Sequence, residues 1–512
     1  MAIRIHSVEA SADGTLRVIG DATDFDMLER IDLSRNGEVI ASETKFNPNF
    51  CEPTPPTRPR LNHFVLDVSR DCAGGLQRGN AHLTAIGRDL RQSTDISSHL
   101  RNFAQESHSE PDFDKVLCDP SAVDQQIELT TSRQLTAVYP LINSLLDSGV
   151  LKKVPTEYRV KWLDLAVFSL LSPGANRPIL AKLGSLLSAI ESLARGSYAE
   201  ASARASVEIV RGSLTAAVEI YEAADIRDYI QVSPWTSGMS GMTSIGTLIQ
   251  FADSGAFFNM PLEFVGALPK NKLIALASAD STYFKQFGGV LLASARTNFS
   301  NVHVHYNVIN PDQKDLEVMQ EVQKNFGHLI SFSISRYSLR RIGPDSQRGL
   351  FTLNRFIVLS RILELCGAPV MTTEADAVFT QQTETILREI EGHDLGFLAL
   401  QRYVRPWMHT TAPLVYVSDT EVGRTFAQAL LTSLRATMTR NTGRQLWGVD
   451  QSAIYSAVRY TDWRCPSLKA INLIPFANSL IYQAQLHPGG KEGFLSSHAD
   501  SSWSSLIGGP GF

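Results

Sequence analysis

The sequence predicts a multidomain α+β chain: an N-terminal antiparallel β-sandwich, a middle α-helical domain and a C-terminal α/β domain. Three observations carry this. Short alternating segments with turn signals between them fill residues 1–92. Apolar residues then recur at three- and four-residue spacing from about 124 to 232. From Lys270 on, apolar strands alternate with helical segments, the pattern of crossover units in a mainly parallel sheet. The expected domains are 1–92, a polar linker at 93–123, 124–265 and 266–512.

In the first domain Asp13-Gly14 separates two short segments, and LRVIG follows. IDLSRNGEVIAS alternates around Asn36-Gly37, a strong hairpin signal because a type I′ turn needs positive φ at both central residues. HFVLDVS and AHLTAIGRDL complete the strands, and CEPTPPTRPR reads as a proline-rich loop. The helical pattern covers LTAVYPLINSLLDSGVL, KWLDLAVFSLL, ILAKLGSLLSAIESLA and ASVEIVRGSLTAAVEIYEAA. Pro173-Gly174 and Gly196-Ser197 mark turns between them.

In the last domain KLIALASAD is an apolar strand ending at Asp280, and helical TYFKQFGGVLLASAR follows. VHVHYNVIN and LISFSIS are further strands, with helical PDQKDLEVMQEVQKNF between them. FTLNRFIVLSRILELCG is helical, PVMTTEAD is the fourth strand, and LGFLAL and PLVYVS extend the sheet. His303 and His305 alternate, so they share a strand face far from its end, a poor place for a metal. Ligands of such sheets collect at strand carboxyl ends. Asp280 and the pair Glu374/Asp376 both stand at such ends.

Composition narrows the function classes. Hydrophobic residues are 43% and charged ones 19%, enough to bury real cores. The net charge of −5 gives no basic excess to pair with phosphates, so no nucleic-acid partner is expected. Cys51, Cys72, Cys118, Cys366 and Cys465 are odd in number, far apart and without a CxxC pair, which fits a reducing compartment rather than a disulfide framework. No apolar run approaches the roughly 20 residues a membrane helix needs. A cytoplasmic location is expected, with peripheral membrane association left open.

The triplet Glu374-Ala375-Asp376 says little by itself. With 52 acids in 512 residues, such triplets arise by chance about five times. Its place after a strand and a βα unit raises its weight, because two carboxylates there suit a hard cation such as Mg²⁺ or Mn²⁺. Further on, RQLWGVDQSAIYSAV carries Asp450-Gln451 at a helix start, where Asp450 could equally cap the helix. QLHPGGKEGF carries His487 and Lys491. The loop with Tyr403, Arg405, Trp407 and His409 is polar and aromatic, suited to a sugar, an acceptor or a plain lid.

In this order, over about 270–495, these motifs resemble a glycosyltransferase of the GT-A type with a Rossmann-like core, in the glycogenin-like and lipopolysaccharide galactosyltransferase-like branch. Glu374 replaces the first aspartate of the DxD element, the His…Gly…Lys spacing is shorter than usual, and TAPLVYV stands where an FNSGV-like motif would be. The resemblance implies a nucleotide-diphospho-sugar donor near Ala279 and Asp280, with Arg355 touching it and Lys491 on the diphosphate. It implies Mn²⁺ or Mg²⁺ on Glu374, Asp376 and His487, and a sugar pocket at Asp450 and Gln451. The acceptor would be a glycan, lipid or protein. The alternative is a glycosyltransferase-like scaffold or glycan-binding protein without catalysis, with the β-sandwich as the binding module.

Overall fold

The computed structural model describes eight strand segments within residues 2–95, then residues 138–507 except 148, 172–178, 225–238, 240, 254–261, 271, 299–300, 339–343, 381–382, 400–404, 441–445, 447 and 477–479. Most of the expected linker, Pro173-Gly174, Tyr403 and Trp447 therefore lie outside the described residues. The chain divides into two compact units, Met1–Trp235 with Gln401–Arg405, and Thr236–Leu400 with Pro406–Phe512.

In the first unit, β1 (Ala2–Ala10), β2 (Leu16–Thr23), β5 (Asn47–Pro48) and β6 (Leu61–Val68) form one antiparallel sheet in the order β1-β2-β6-β5. A second has the order β4-β3-β7-β8, from β3 (Leu28–Arg35), β4 (Glu38–Glu43), β7 (Ala81–Gly87) and β8 (Leu90–Asp95). β3 and β4 pair antiparallel up to Arg35 and Glu38, and the expected turn residues Asn36-Gly37 lie outside the described residues. Five helices follow among the described residues: α1 (Val138–Asp147), α2 (Thr156–Leu170), α3 (Ile179–Leu193), α4 (Tyr198–Val210) and α5 (Leu214–Ala223). The segment ASVEIVRGSLTAAVEIYEAA is two helices, not one. Gly212 takes φ +86° between them, a left-handed backbone that a side chain disfavours. Arg405 belongs to this unit and is fully buried against Asp164, with Nη2 2.6 Å from Oδ1 and 3.1 Å from the Ser202 hydroxyl. That is a buried structural pair, not part of a lid.

The second unit begins with α6 (Ile245–Asp253) and is built on an eight-stranded sheet. Its strands are β9 (Glu263–Val265), β10 (Leu273–Asp280), β11 (Val302–Ile309), β12 (Ile330–Ser335), β13 (Val370–Thr373), β15 (Leu395–Ala399), β16 (Thr410–Val417) and β17 (Ala470–Asn472). The order is β17-β15-β16-β13-β10-β11-β12-β9. The pairs β10–β11, β11–β12, β10–β13 and β15–β17 are parallel, whereas β9 and β16 pair antiparallel to their neighbours. The connecting helices α7 (Ser281–Asn298), α8 (Gln313–Phe326) and α9 (Pro344–Cys366) match the crossovers expected from the sequence.

The faces of β10 alternate with period two. Ala275, Ala277 and Ala279 join a core with α7 and α8 residues, and Ile274 and Leu276 a core with α9, α11 (Glu421–Arg440) and α12 (Val449–Arg464). On β11 and β12 one face is apolar, with Val304, Tyr306, Phe332 and Ile334. The other is a buried polar ladder. His303 Nε2 and His305 Nδ1 each lie 2.8 Å from the Ser331 hydroxyl, and His305 Nε2 lies 2.9 Å from that of Ser333. Asn307 continues the ladder to Ser333, Ser278 and Asn354, and the Tyr337 hydroxyl donates to Asn354 Oδ1 at 2.6 Å. The two histidines do share a face, and they spend it on serines.

Candidate functional site

The acidic pair does not lie on the fourth strand, as its sequence suggests. β13 ends at Thr373, and Glu374-Ala375-Asp376 turn into β14 (Ala377–Phe379). That strand leaves the large sheet and pairs antiparallel with β18 (Ile481–Gln483). The Ala484 N–H donates to the Asp376 carbonyl at 2.8 Å and extends the pairing. This second, small sheet carries the chain on to His487 and to α13 (Gly490–Ser497), where Lys491 sits in the first turn. Residues more than a hundred positions apart are thereby brought to the carboxyl end of β13.

The result is a cluster of charges. Lys491 Nζ lies 2.5 Å from Asp376 Oδ2 and donates to the Tyr283 hydroxyl at 2.8 Å. It also sits 4.9 Å from the centre of the Tyr283 ring. Tyr283 is in the first turn of α7, and its N–H donates to Asp280 Oδ1 at 2.9 Å. The ends of β10 and β13 are therefore linked through Asp280, Tyr283, Lys491 and Asp376. Arg355, buried on α9, reaches the other side: Nη2 is 4.0 Å from Glu374 Oε1, 3.9 Å from Asp450 Oδ2 and donates to the Ala412 carbonyl at 3.0 Å. Its Nε is buried with no hydrogen-bond partner among the described residues. Such an unmet donor is costly unless something else fills the site.

Burial governs the protonation of this cluster. It raises the Glu374 carboxyl above its ordinary range, and nearby Arg355 offsets this only in part, while Asp376 and Asp450 add to the rise. Asp450 is raised by burial too, again against the pull of Arg355. For Lys491, burial works against the ammonium, but the hydrogen bonds to Asp376 and Tyr283 outweigh it and leave its pKa raised.

The remaining candidates divide. Asp450 is not the cap of α12; Gly448, at φ +75°, takes that position. Asp450 is the second helical residue, and its Oδ1 accepts the Gln451 N–H at 2.9 Å, so it satisfies a free helix donor all the same. The Gln451 carbonyl accepts from the Thr410 hydroxyl at 2.7 Å. Ala279 is buried in β10, below Asp280. His487 does not join the acids in a ligand set. Its Nδ1 accepts the Gly489 N–H of its own loop at 3.1 Å, and its ring meets Phe494 edge-on. Among the described residues no group of three His, Cys, Asp or Glu side chains is placed to hold a metal. Glu374 and Asp376 still fit a hard cation that takes one or two carboxylates and completes its shell with phosphate oxygens.

Tyr283 was not singled out from the sequence. The signal available was an aromatic three residues after a strand-ending acid, at the start of a helix. Trp407 is buried, and the His409 ring meets Tyr455 edge-on at 5.5 Å, so these two side chains are packed.

Fold and site together define a Rossmann-like α/β domain with a charged cluster where strands and helix N-termini converge. No protein-family model matches the chain, and no curated protein matches it. Solved structures similar to part of it include glycosyltransferases. They include the galactosyltransferase LgtC in complex with donor and acceptor sugar analogues, at 11% identity and TM-score 0.28 over 36% of this chain and 69% of that one. Mouse xyloside xylosyltransferase 1 matches at 8% identity and TM-score 0.27 over 46% of this chain and 93% of that one. The bifunctional glycosyltransferase WbbM matches at 11% and 0.26, with the chain spanning 37% of its length. At TM-scores this low, the chemistry of the site has to be argued from its own residues. No helix among the described residues is long and apolar enough to cross a membrane.

Proposed function

We propose that the second unit transfers a sugar from a nucleotide-diphospho-sugar to a hydroxyl acceptor on a glycan, lipid or protein. The observation that carries this is the cluster Arg355–Glu374–Asp376–Asp450–Lys491 at the carboxyl end of β13. In glycosyl transfer the C1–O bond to the diphosphate breaks and the acceptor oxygen bonds to C1. The acceptor's proton passes to the released diphosphate. Negative charge builds on the leaving group, so fixed cations beside it lower the barrier. Lys491, held by Asp376 and Tyr283, is the cation placed for the phosphates. Glu374 and Asp376 would hold a divalent cation, Mn²⁺ or Mg²⁺. When bound, it would supply Lewis-acid stabilisation of the charge on the leaving diphosphate. Asp450, oriented by Arg355, and Gln451 face the sugar. The nucleotide lies toward Ala279 and Asp280, where the N-terminus of α7 adds a favourable dipole for an anion.

A second reading is a glycosyltransferase-like binding protein without turnover. Two observations favour it: Asp376 is already paired with Lys491, and His487 Nδ1 is taken by the Gly489 N–H of its own loop. Calorimetric titration of the full chain with UDP- and GDP-sugars, with and without Mn²⁺, separates the two. The enzyme reading expects metal-assisted donor binding and slow donor hydrolysis, both lost in Asp376→Asn with the fold retained. Full activity in that variant, or activity indifferent to chelator, contradicts it.

A further inference from the structure

A cavity of about 470 Å³ opens at the other end of the second unit's sheet. Thr373, just before the acidic pair, pairs with Leu414, whereas Val417, two residues before Asp419 of the cavity wall, pairs with Val370. The two sites are thus at opposite ends of the antiparallel pair β13–β16. Along α12, Tyr460 and Arg464 of the cavity lie about 15–21 Å from Asp450 by helical rise. The cavity is no part of the charge cluster, and its volume is in the range of small-molecule sites.

Two helix stripes make most of its walls, with Leu248 of α6 and Asp419 completing them. Arg424, Gln428 and Thr432 are spaced by four on α11, and Tyr460 and Arg464 by four on α12, so each set lines one face. The wall carries two acids and two bases. Arg424 Nε and Nη2 bond Asp419 at 2.7 and 3.1 Å, and Glu421 and Arg464 add one charge of each sign. A wall without net charge favours an ion of neither sign. It does keep directional groups: Arg424 has N–H donors beyond the two given to Asp419, the Asp419 carboxylate has about four acceptor sites, and Gln428 donates from Nε2 to Ser360 at 2.8 Å while keeping its amide oxygen as an acceptor. Tyr460 of the wall has Trp463, just outside the lining, against it, with ring centres 5.8 Å apart at 45°. Trp463 is 52% exposed, a large apolar face left in water.

Directional polar groups without net charge, next to an exposed aromatic face, match a ligand with many hydroxyls and a C–H-lined ring face. We propose that this cavity is a non-catalytic binding site for a neutral saccharide, with Trp463 and Tyr460 as the platform and Arg424, Asp419 and Gln428 as hydroxyl partners. It stands independently of the transferase reading.

The test is saturation-transfer NMR on the full chain with maltose, cellobiose and lactose as probes and inorganic phosphate as the anionic control. At least one disaccharide is expected to bind with a Kd of about 1 mM. Trp463→Ala should weaken it about tenfold, and Trp463→Phe, which keeps a ring, should restore most of it. Asp376→Asn should leave it unchanged, which separates this site from the charge cluster. Binding of none of the three sugars, binding indifferent to Trp463→Ala, or displacement by phosphate would each overturn the proposal. Because Trp463 is half-exposed, the variants are expected to fold, and circular dichroism checks this.

Discussion

Acid should unfold the second unit through its buried histidine ladder. His305 is fully buried between Ser331 and Ser333, and burial lowers its pKa to about 3, with neighbouring His303 adding to the shift. His303 is lowered to about 4, again chiefly by burial. In the unfolded chain a histidine titrates near 6.5. Between that value and the folded pKa, the unfolded state binds a proton that the folded state refuses, so stability falls as pH falls. Each pH unit costs about 1.4 kcal/mol per histidine. From pH 6.5, where the unfolded histidine is half protonated, to pH 4.5, His305 alone should remove about 2 kcal/mol, a large share of a domain's usual stability. The assay is urea unfolding at a series of pH values, with pulsed hydrogen exchange read over residues 302–309 to isolate this sheet. His305→Gln should flatten the slope by about half. An unfolding midpoint of β11 that does not move between pH 6.5 and 4.5 would refute the reasoning.

Three further predictions concern the site and its support. Arg355→Met leaves Glu374 and Asp450 without their buried cation; the expected cost is roughly 3 kcal/mol in unfolding, together with lost donor binding, and unchanged stability would contradict it. Lys491→Met should weaken binding of a free nucleoside diphosphate at least tenfold by calorimetry, while equal affinity would remove Lys491 from the phosphate site. A side chain at Gly289 would meet the Ser501 carbonyl at 2.5 Å, so Gly289→Val should cost about 1–3 kcal/mol by overpacking. A Gly289→Val melting temperature equal to that of the parent would count against that close approach.

The sequence made the βα alternation after Lys270 readable because each strand is a short apolar run and each helix repeats at helical spacing. The helix TYFKQFGGVLLASAR holds two adjacent glycines, which disfavour helices. The reason is tertiary: Gly288 and Gly289 let Trp503 and the Ser501–Trp503 backbone close on α7, and the Trp503 Nε1–H donates to the Phe284 carbonyl at 2.9 Å. The polar ladder was only half visible. HVH marked a shared face, but the serines of ISFSIS and Asn354 meet it only after the sheet assembles. Likewise, Asp376, Asp450 and Lys491 were each picked out by local motif. Arg355 as the buried cation between two acids, and Tyr283 as the support of Lys491, depend on contacts over long separations that no spacing encodes. The split of ASVEIVRGSLTAAVEIYEAA was legible at Gly212 in retrospect, since a left-handed backbone there ends the first helix.

The most direct test is a crystal of the full chain grown with a nucleoside diphosphate and Mn²⁺. The expected result is a diphosphate lying against the Lys491 ammonium at the turn that follows β13, with the manganese on the Asp376 carboxylate. A diphosphate bound elsewhere, or crystals that exclude it while Asp376 and Lys491 stay locked together, would contradict a sugar-transfer role for this end of the sheet.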